Sequence, residues 1–175
     1  MPTIMSSIDA EALYRALVEQ IRAAYGQSLA APDGVVLAGI YSGGVWLAER
    51  LAKDLDAPHF GVVNVALHRD DYAKKGLHSQ ARPTELPFDV NGRHIILIDD
   101  VLSTGRTVRA AINELYDYGR PASIDLGVLA DRGGREMPIG ARFVGATVDV
   151  PANENLVLAR RDDGTFAFMT EARAN

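Results

Sequence analysis

His94-Ile-Ile-Leu-Ile-Asp-Asp-Val-Leu-Ser-Thr-Gly-Arg-Thr-Val-Arg109 joins an apolar strand, two carboxylates, a polar turn and a helix in sixteen residues. Ile95 to Ile98 is an apolar run without polar alternation, the pattern of a parallel strand buried on both faces. Two carboxylates, Asp99 and Asp100, follow at once, and then a turn of Ser103, Thr104, Gly105, Arg106 and Thr107. Val108, Ala111, Ile112 and Leu115 then recur at helical spacing. The order is therefore strand, acidic pair, hydroxyl- and glycine-rich turn, helix.

This order has a chemical logic. A turn that opens a helix presents unpaired backbone N–H groups and the positive end of the helix dipole, which favour a phosphate. Thr104 and Thr107 add hydroxyl donors, and Gly105 allows the backbone to approach the anion closely. Carboxylates repel a phosphate, so Asp99 and Asp100 make sense when the ligand carries hydroxyls or a metal at its other end. A ribose 5-phosphate meets that description. The plainer reading, a core strand followed by a solvated Asp pair and a capped helix, needs one capping residue and not this whole set. Neither a Walker A loop nor a Gly-x-Gly-x-x-Gly fingerprint is present.

A second strand–turn–helix unit lies upstream. Val35 to Ile40 is apolar, Tyr41-Ser42-Gly43-Gly44 forms a turn, and Gly44, Leu47, Ala48, Leu51, Ala52 and Leu55 share a helical face. The start of that helix is a second candidate anion site. Before it, Ala10, Leu13, Tyr14, Leu17, Val18 and Ile21 predict a packing helix within residues 8–25, capped at Ser6 or Ser7 and ended by Gly26. Phe60 to Leu67 reads as a strand. His68 to Pro87 is polar and lacks periodicity, and a loop of about 20 residues in a compact domain is commonly a lid or binding loop. Ser123 to Ala130 is another strand, followed by Asp131-Arg132-Gly133-Gly134-Arg135 on the same sheet edge as Asp99 and Tyr41. Phe143 to Val148, then Leu156–Arg160 and Thr165–Met169 joined across Asp162-Asp163-Gly164, read as short strands and a hairpin.

Composition sets the limits. At 175 residues the chain is most simply one domain, 1–175, of ordinary globular composition. Its net charge of −5 argues against a general nucleic-acid binder. It contains no cysteine, which excludes disulfides, thiolate catalysis and Cys-based metal sites. The four histidines, at 59, 68, 78 and 94, lack ligand spacing. No apolar run approaches the roughly 18 residues of a membrane span. The first residues do not read as a signal peptide, so the cytoplasm is the default location.

Ile95 to Thr107 resembles the 5-phosphoribosyl-1-pyrophosphate (PRPP) motif of the type I phosphoribosyltransferases. Arg69-Asp70-Asp71, Val101 to Ala111, Gly119-Arg120-Pro121-Ala122 and Asp131 to Ile139 narrow the resemblance to the branch of that family that regulates pyrimidine operons and has uracil phosphoribosyltransferase activity. The resemblance implies an α/β type I phosphoribosyltransferase fold: a central parallel sheet of about five strands flanked by helices, with a small hood mainly from about 131–170 and a flexible loop at about 68–87. It implies that Asp99 and Asp100 are catalytic, that Ser103, Thr104, Gly105, Arg106 and Thr107 bind PRPP, and that Tyr41, Ser42, Gly43 and Gly44 form the pyrophosphate loop. Arg69 and Asp70 would belong to the flexible loop, and Arg132 would contact the base. The implied cofactor is Mg2+, the substrates are PRPP and uracil, and UMP is product or effector. An mRNA leader is a further partner, and a homodimer or higher homo-oligomer is implied. The sequence departs from the pattern where Gly43 replaces an arginine, His68 a tyrosine and Gly134 a histidine. Three readings stay open: a uracil phosphoribosyltransferase, a UMP- or UTP-sensing RNA-binding regulator, and a phosphoribosyltransferase for another nucleobase.

Overall fold

The computed structural model describes residues 3–4, 8–65 and 82–173, with the backbone alone for 3–4. Ser6 and Ser7, the larger part of the expected lid, and with it Arg69 and Asp70, lie outside the described residues.

The core is a five-stranded parallel sheet, β2 (Val36–Ile40), β3 (Gly61–Val63), β4 (His94–Leu102), β5 (Ser123–Asp131) and β6 (Phe143–Thr147), in the order β3-β2-β4-β5-β6. β4 sits at its centre. Ile96 and Ile98 pack on one face with α1 (Ala10–Tyr25) and α2 (Gly43–Asp54), whereas Ile95 and Leu97 pack on the other with α3 (Arg106–Tyr116). Helices on both faces thus explain why the strand is apolar at successive positions. All four side chains are at most 1% exposed. Burying each contributes about 1.5–3 kcal/mol.

The expected acidic pair does not follow the strand but belongs to it. β4 runs on through Asp99 and Asp100 to Leu102, and it stays paired with β5 through Leu102↔Asp131. The first helix begins two residues later than the lower bound of its predicted window. Its cap is Asp9, whose carboxylate accepts the N–H of Ala12 at 3.1 Å.

The second sheet is small and antiparallel, β1 (Thr3–Ile4), β8 (Phe166–Ala172) and β7 (Glu154–Arg160), in that order. It differs from the expected hood in two respects. Phe143–Thr147 lies in the core sheet, because it pairs in parallel register with Gly127–Asp131. The small sheet also takes its third strand from the start of the chain. Leu156, Leu158, Phe166 and Phe168 join the core beside α1 and α2. Glu11 holds the two parts together, accepting two hydrogen bonds from Arg50 (2.7 and 2.8 Å) and the Phe166 N–H (2.8 Å).

The last residues of the expected loop, 82–87, are structural. Glu85 and Val62 exchange backbone hydrogen bonds of 2.8 Å each, and Thr84 Oγ1 accepts the Asn64 N–H at 3.0 Å. β3 is an edge strand, and this segment satisfies its open backbone groups.

Candidate active site

The strand order reverses between β2 and β4: β3 lies to one side of β2, and β4 and β5 to the other. In such sheets the crevice beyond the carboxyl ends at the reversal is where ligands bind. Residues 41–44 follow β2, and residues 99–107 close β4 and open α3. The two predicted loops therefore meet at the topological switch point.

The acidic pair is held by its own backbone. Asp99 Oδ1 accepts the Asp100 N–H at 2.9 Å, and Asp100 Oδ1 accepts the Val101 N–H at 2.8 Å. Asp99 is buried at 6% exposure, whereas Asp100 is half-buried. The second oxygen of Asp100 faces the start of α2. A Cβ added to residue 43 would lie 2.4 Å from it. Any side chain at 43 would have to displace the Asp100 carboxylate, a constraint that pattern matching registers only as a missing arginine. Tyr41 and Ser42 are half-buried, joined by a cis peptide, and the Tyr41 N–H donates to Val63 O at 2.9 Å.

The turn over α3 has the geometry of an anion cradle. Gly105 sits at φ 93° as the residue before the helix and, lacking a side chain, does not itself cap the first turn. A left-handed residue there favours glycine, and beyond the Arg106 N–H the N–H groups of the helix start are directed at the loop. The Thr104 hydroxyl accepts the Arg106 N–H at 3.1 Å, which leaves its own proton to donate. The Ser103 hydroxyl is already engaged, donating to Gly133 O at 2.9 Å. Thr107 is half-buried in the first turn of α3. Arg106 pairs with Glu136 at 2.9 Å on the surface, where such a pair contributes little.

Segment 131–139 supports this turn, a role the sequence reading did not assign. Arg135 donates to both Asp131 oxygens (2.9 and 2.6 Å), to Ser103 O (3.0 Å) and to Ile139 O (2.7 Å). The Glu136 and Met137 N–H groups donate to Thr104 O at 2.9 and 3.1 Å. Hydrogen bonding from Arg135 holds the Asp131 carboxyl below the usual range, with a further contribution from the Gly133 N–H. The available signal was the Asp131-x-x-x-Arg135 spacing just past a strand end. Arg132, the residue expected to contact the base, directs its guanidinium at the carbonyls of Glu154 (2.8 Å), Pro151 (3.0 Å) and Val150 (3.5 Å).

Among the described residues no group of three or more His, Asp or Glu side chains is placed to hold a metal ion. Two neighbouring carboxylates without a cage suit Mg2+ that is also bound by substrate phosphates. No helix among the described residues is long and apolar enough to cross a membrane.

Comparison with known proteins agrees with this geometry. The phosphoribosyl transferase domain model matches residues 7–157. The bifunctional protein PyrR of Ralstonia nicotianae is 57% identical over 166 residues, covering 95% of this chain and 94% of that protein. The bifunctional protein PyrR of Nitrosococcus oceani is 46% identical, covering 93% and 92%. Among solved structures, a hypoxanthine-guanine phosphoribosyltransferase from Bacillus anthracis superposes with a TM-score of 0.61 over 85% of each chain. A hypoxanthine phosphoribosyltransferase from Staphylococcus aureus gives 0.59 over 85% of this chain and 78% of the other. At 13% and 17% identity these two likenesses concern the fold. With the match spanning nearly the whole chain and both loops meeting at the switch point, the chain belongs to the phosphoribosyl transferase domain family and, within it, to the PyrR proteins.

Proposed function

We propose that this protein transfers the ribose 5-phosphate of PRPP to uracil, forming UMP and pyrophosphate. The observation that carries the reading is the convergence of three features at one sheet edge: the Asp99–Asp100 pair, the helix start behind Gly105, and the 41–44 loop packed against Asp100. The 5-phosphate sits on the N–H groups at the start of α3 and on the hydroxyls of Thr104 and Thr107. Ser103 contributes backbone only, since its hydroxyl is engaged. Asp99 and Asp100 take the ribose hydroxyls and favour the positive charge that develops on the ring as the C1–pyrophosphate bond breaks and uracil N1, releasing its proton to the solvent, forms its bond to C1. Holding the phosphate and ribose at fixed points brings C1 in line with the base. Asp100, with Asp99, would hold Mg2+, which when bound neutralises the leaving pyrophosphate. The 41–44 turn accommodates the pyrophosphate beside Asp100, without the arginine usual in the family. Residues 1–175 act as one domain, in the cytoplasm, as a homodimer or larger assembly.

A panel of nucleobases with PRPP and Mg2+ tests this reading. Uracil should be consumed and pyrophosphate released in equal amounts. Preference for hypoxanthine or guanine would replace uracil by a purine. The relatives are named bifunctional, and this favours a second role as a UMP- or UTP-responsive regulator that binds a pyrimidine-operon mRNA leader. A salt-dependent gel shift with that leader, strengthened by UMP, tests it. Absence of a shift at low salt would remove the regulatory role.

A further inference from the structure

Arg132 sits where two parts of the site meet. Its backbone N–H donates to Leu102 O at 2.9 Å, so its main chain is fixed to the end of β4 just beyond the acidic pair. Its guanidinium reaches Val150, Pro151 and Glu154, the linker through which the chain leaves β6 and enters the hood. That linker is itself a turn, closed by the Glu154 N–H on Pro151 O at 3.0 Å. A planar guanidinium can hold three carbonyls at once, a geometry a lysine ammonium reproduces in part. The neighbouring residue Asp131 fixes Arg135, which holds Ser103 of the phosphate turn. Adjacent residues at one strand end are thus anchored to the hood entrance and to the phosphate loop.

We propose that Arg132 is a positioning residue that sets the hood at a fixed distance from the ribose site and so shapes the pocket for the base, without itself reading a base oxygen. The proposal rests on the phosphoribosyltransferase reading above. With phosphate at the 103–107 turn and ribose at Asp99–Asp100, the base extends toward the hood entrance. Arg132 and the Asp131–Arg135 pair make the hood entrance and the phosphate turn parts of one rigid strut.

The test uses full-length Arg132→Ala and Arg132→Lys in two measurements. The first is hydrogen exchange on the ligand-free protein. Amides of 152–160 should exchange about tenfold faster in the alanine variant, by less in the lysine variant, and those of β4 should be unchanged. The second is steady-state kinetics. The alanine variant should raise KM for uracil about tenfold while KM for PRPP stays within about twofold, with partial recovery in the lysine variant. The same ratio should hold for 2-thiouracil and 4-thiouracil. An effect that disappears for one thio analogue would reveal direct contact with that oxygen and overturn the proposal. Equal rises in both KM values, or unchanged exchange at 152–160, would also overturn it. If the wild-type protein turns over no base at all, the enzymatic reading fails by itself, and the exchange measurement still decides whether Arg132 anchors the hood.

Discussion

At the scale of single residues, the site depends on the placement of one carboxylate. Asp100 Oδ1 is tied to the Val101 N–H, and Oδ2 faces residue 43. Asp100→Asn preserves shape and removes charge. We expect turnover to fall by a factor on the order of 10²–10³, as when one preorganised electrostatic group is removed, with the melting temperature nearly unchanged. Full activity in the folded variant would show that the pair is not catalytic. Gly43→Ala tests the same carboxylate from the other side. A methyl group at 2.4 Å from Oδ2 must displace it. Activity should drop about tenfold or more, because misplacement by an ångström is enough to cost catalysis. Gly43→Arg carries the same Cβ, so restoring the family's arginine should cost turnover before any gain in pyrophosphate affinity appears. A Gly43→Ala enzyme with wild-type kcat would mean that the Asp100 carboxylate can move without consequence.

Elements are held in place here by short polar fastenings, with burial supplying the bulk of the stability. Beyond the local Thr104–Arg106 hydrogen bond, the turn before α3 takes its shape from segment 131–139. Arg135 is its main tie, with hydrogen bonds to Asp131, Ser103 O and Ile139 O. Both partners of the Arg135–Asp131 pair are mostly buried, at 28% and 19% side-chain exposure. Arg135→Ala leaves the Asp131 carboxylate and two carbonyls without this donor. We expect a stability loss of about 1.5–3 kcal/mol in urea unfolding and a higher KM for PRPP. Loss of stability with an unchanged KM for PRPP would separate the tie from the phosphate site.

For the whole molecule, the join between hood and core is electrostatic as well as apolar. Arg50 bonds Glu11 and stacks over Tyr14, with its guanidinium carbon 3.9 Å from the ring centroid, while Glu11 also accepts Phe166 N–H. Burial, and then the hydrogen bond to Asp54, push the Tyr14 phenol well above its ordinary range, so it stays a donor at any working pH. Hydrogen bonding from Arg50 holds the Glu11 carboxyl below its ordinary range, as Arg135 does for Asp131. A carboxylate with a depressed folded-state pKa contributes stability that is fully present above its unfolded pKa of about 4 and lost as pH falls through the folded value. Unfolding free energy should therefore be flat near neutrality and decline below about pH 4 to 5. Glu11→Gln should lower stability at pH 7 and make this acid decline shallower. An unaltered slope in the variant would assign the acid sensitivity to other groups.

The central strand, the acidic pair and the turn from Ser103 to Thr107 were legible from the chain alone, because each is a local pattern. Continuous burial writes an unbroken apolar run, and an anion turn needs glycine and hydroxyls at adjacent positions. The Tyr41–Gly44 turn was legible for the same reason. Other features depend on partners far away in sequence. The order β3-β2-β4-β5-β6, which brings the two turns together, is set by strand pairing across the sheet. Assignment of Phe143–Thr147 to the core instead of the hood follows from its register with β5. Arg132 and Arg135 lie three positions apart on one polar loop, and in sequence the Asp131-x-x-x-Arg135 spacing alone distinguishes them. Only folding directs one toward the carbonyls before β7 and the other toward the turn before α3, since their donors meet acceptors roughly 20 and 30 residues away, which local periodicity does not record.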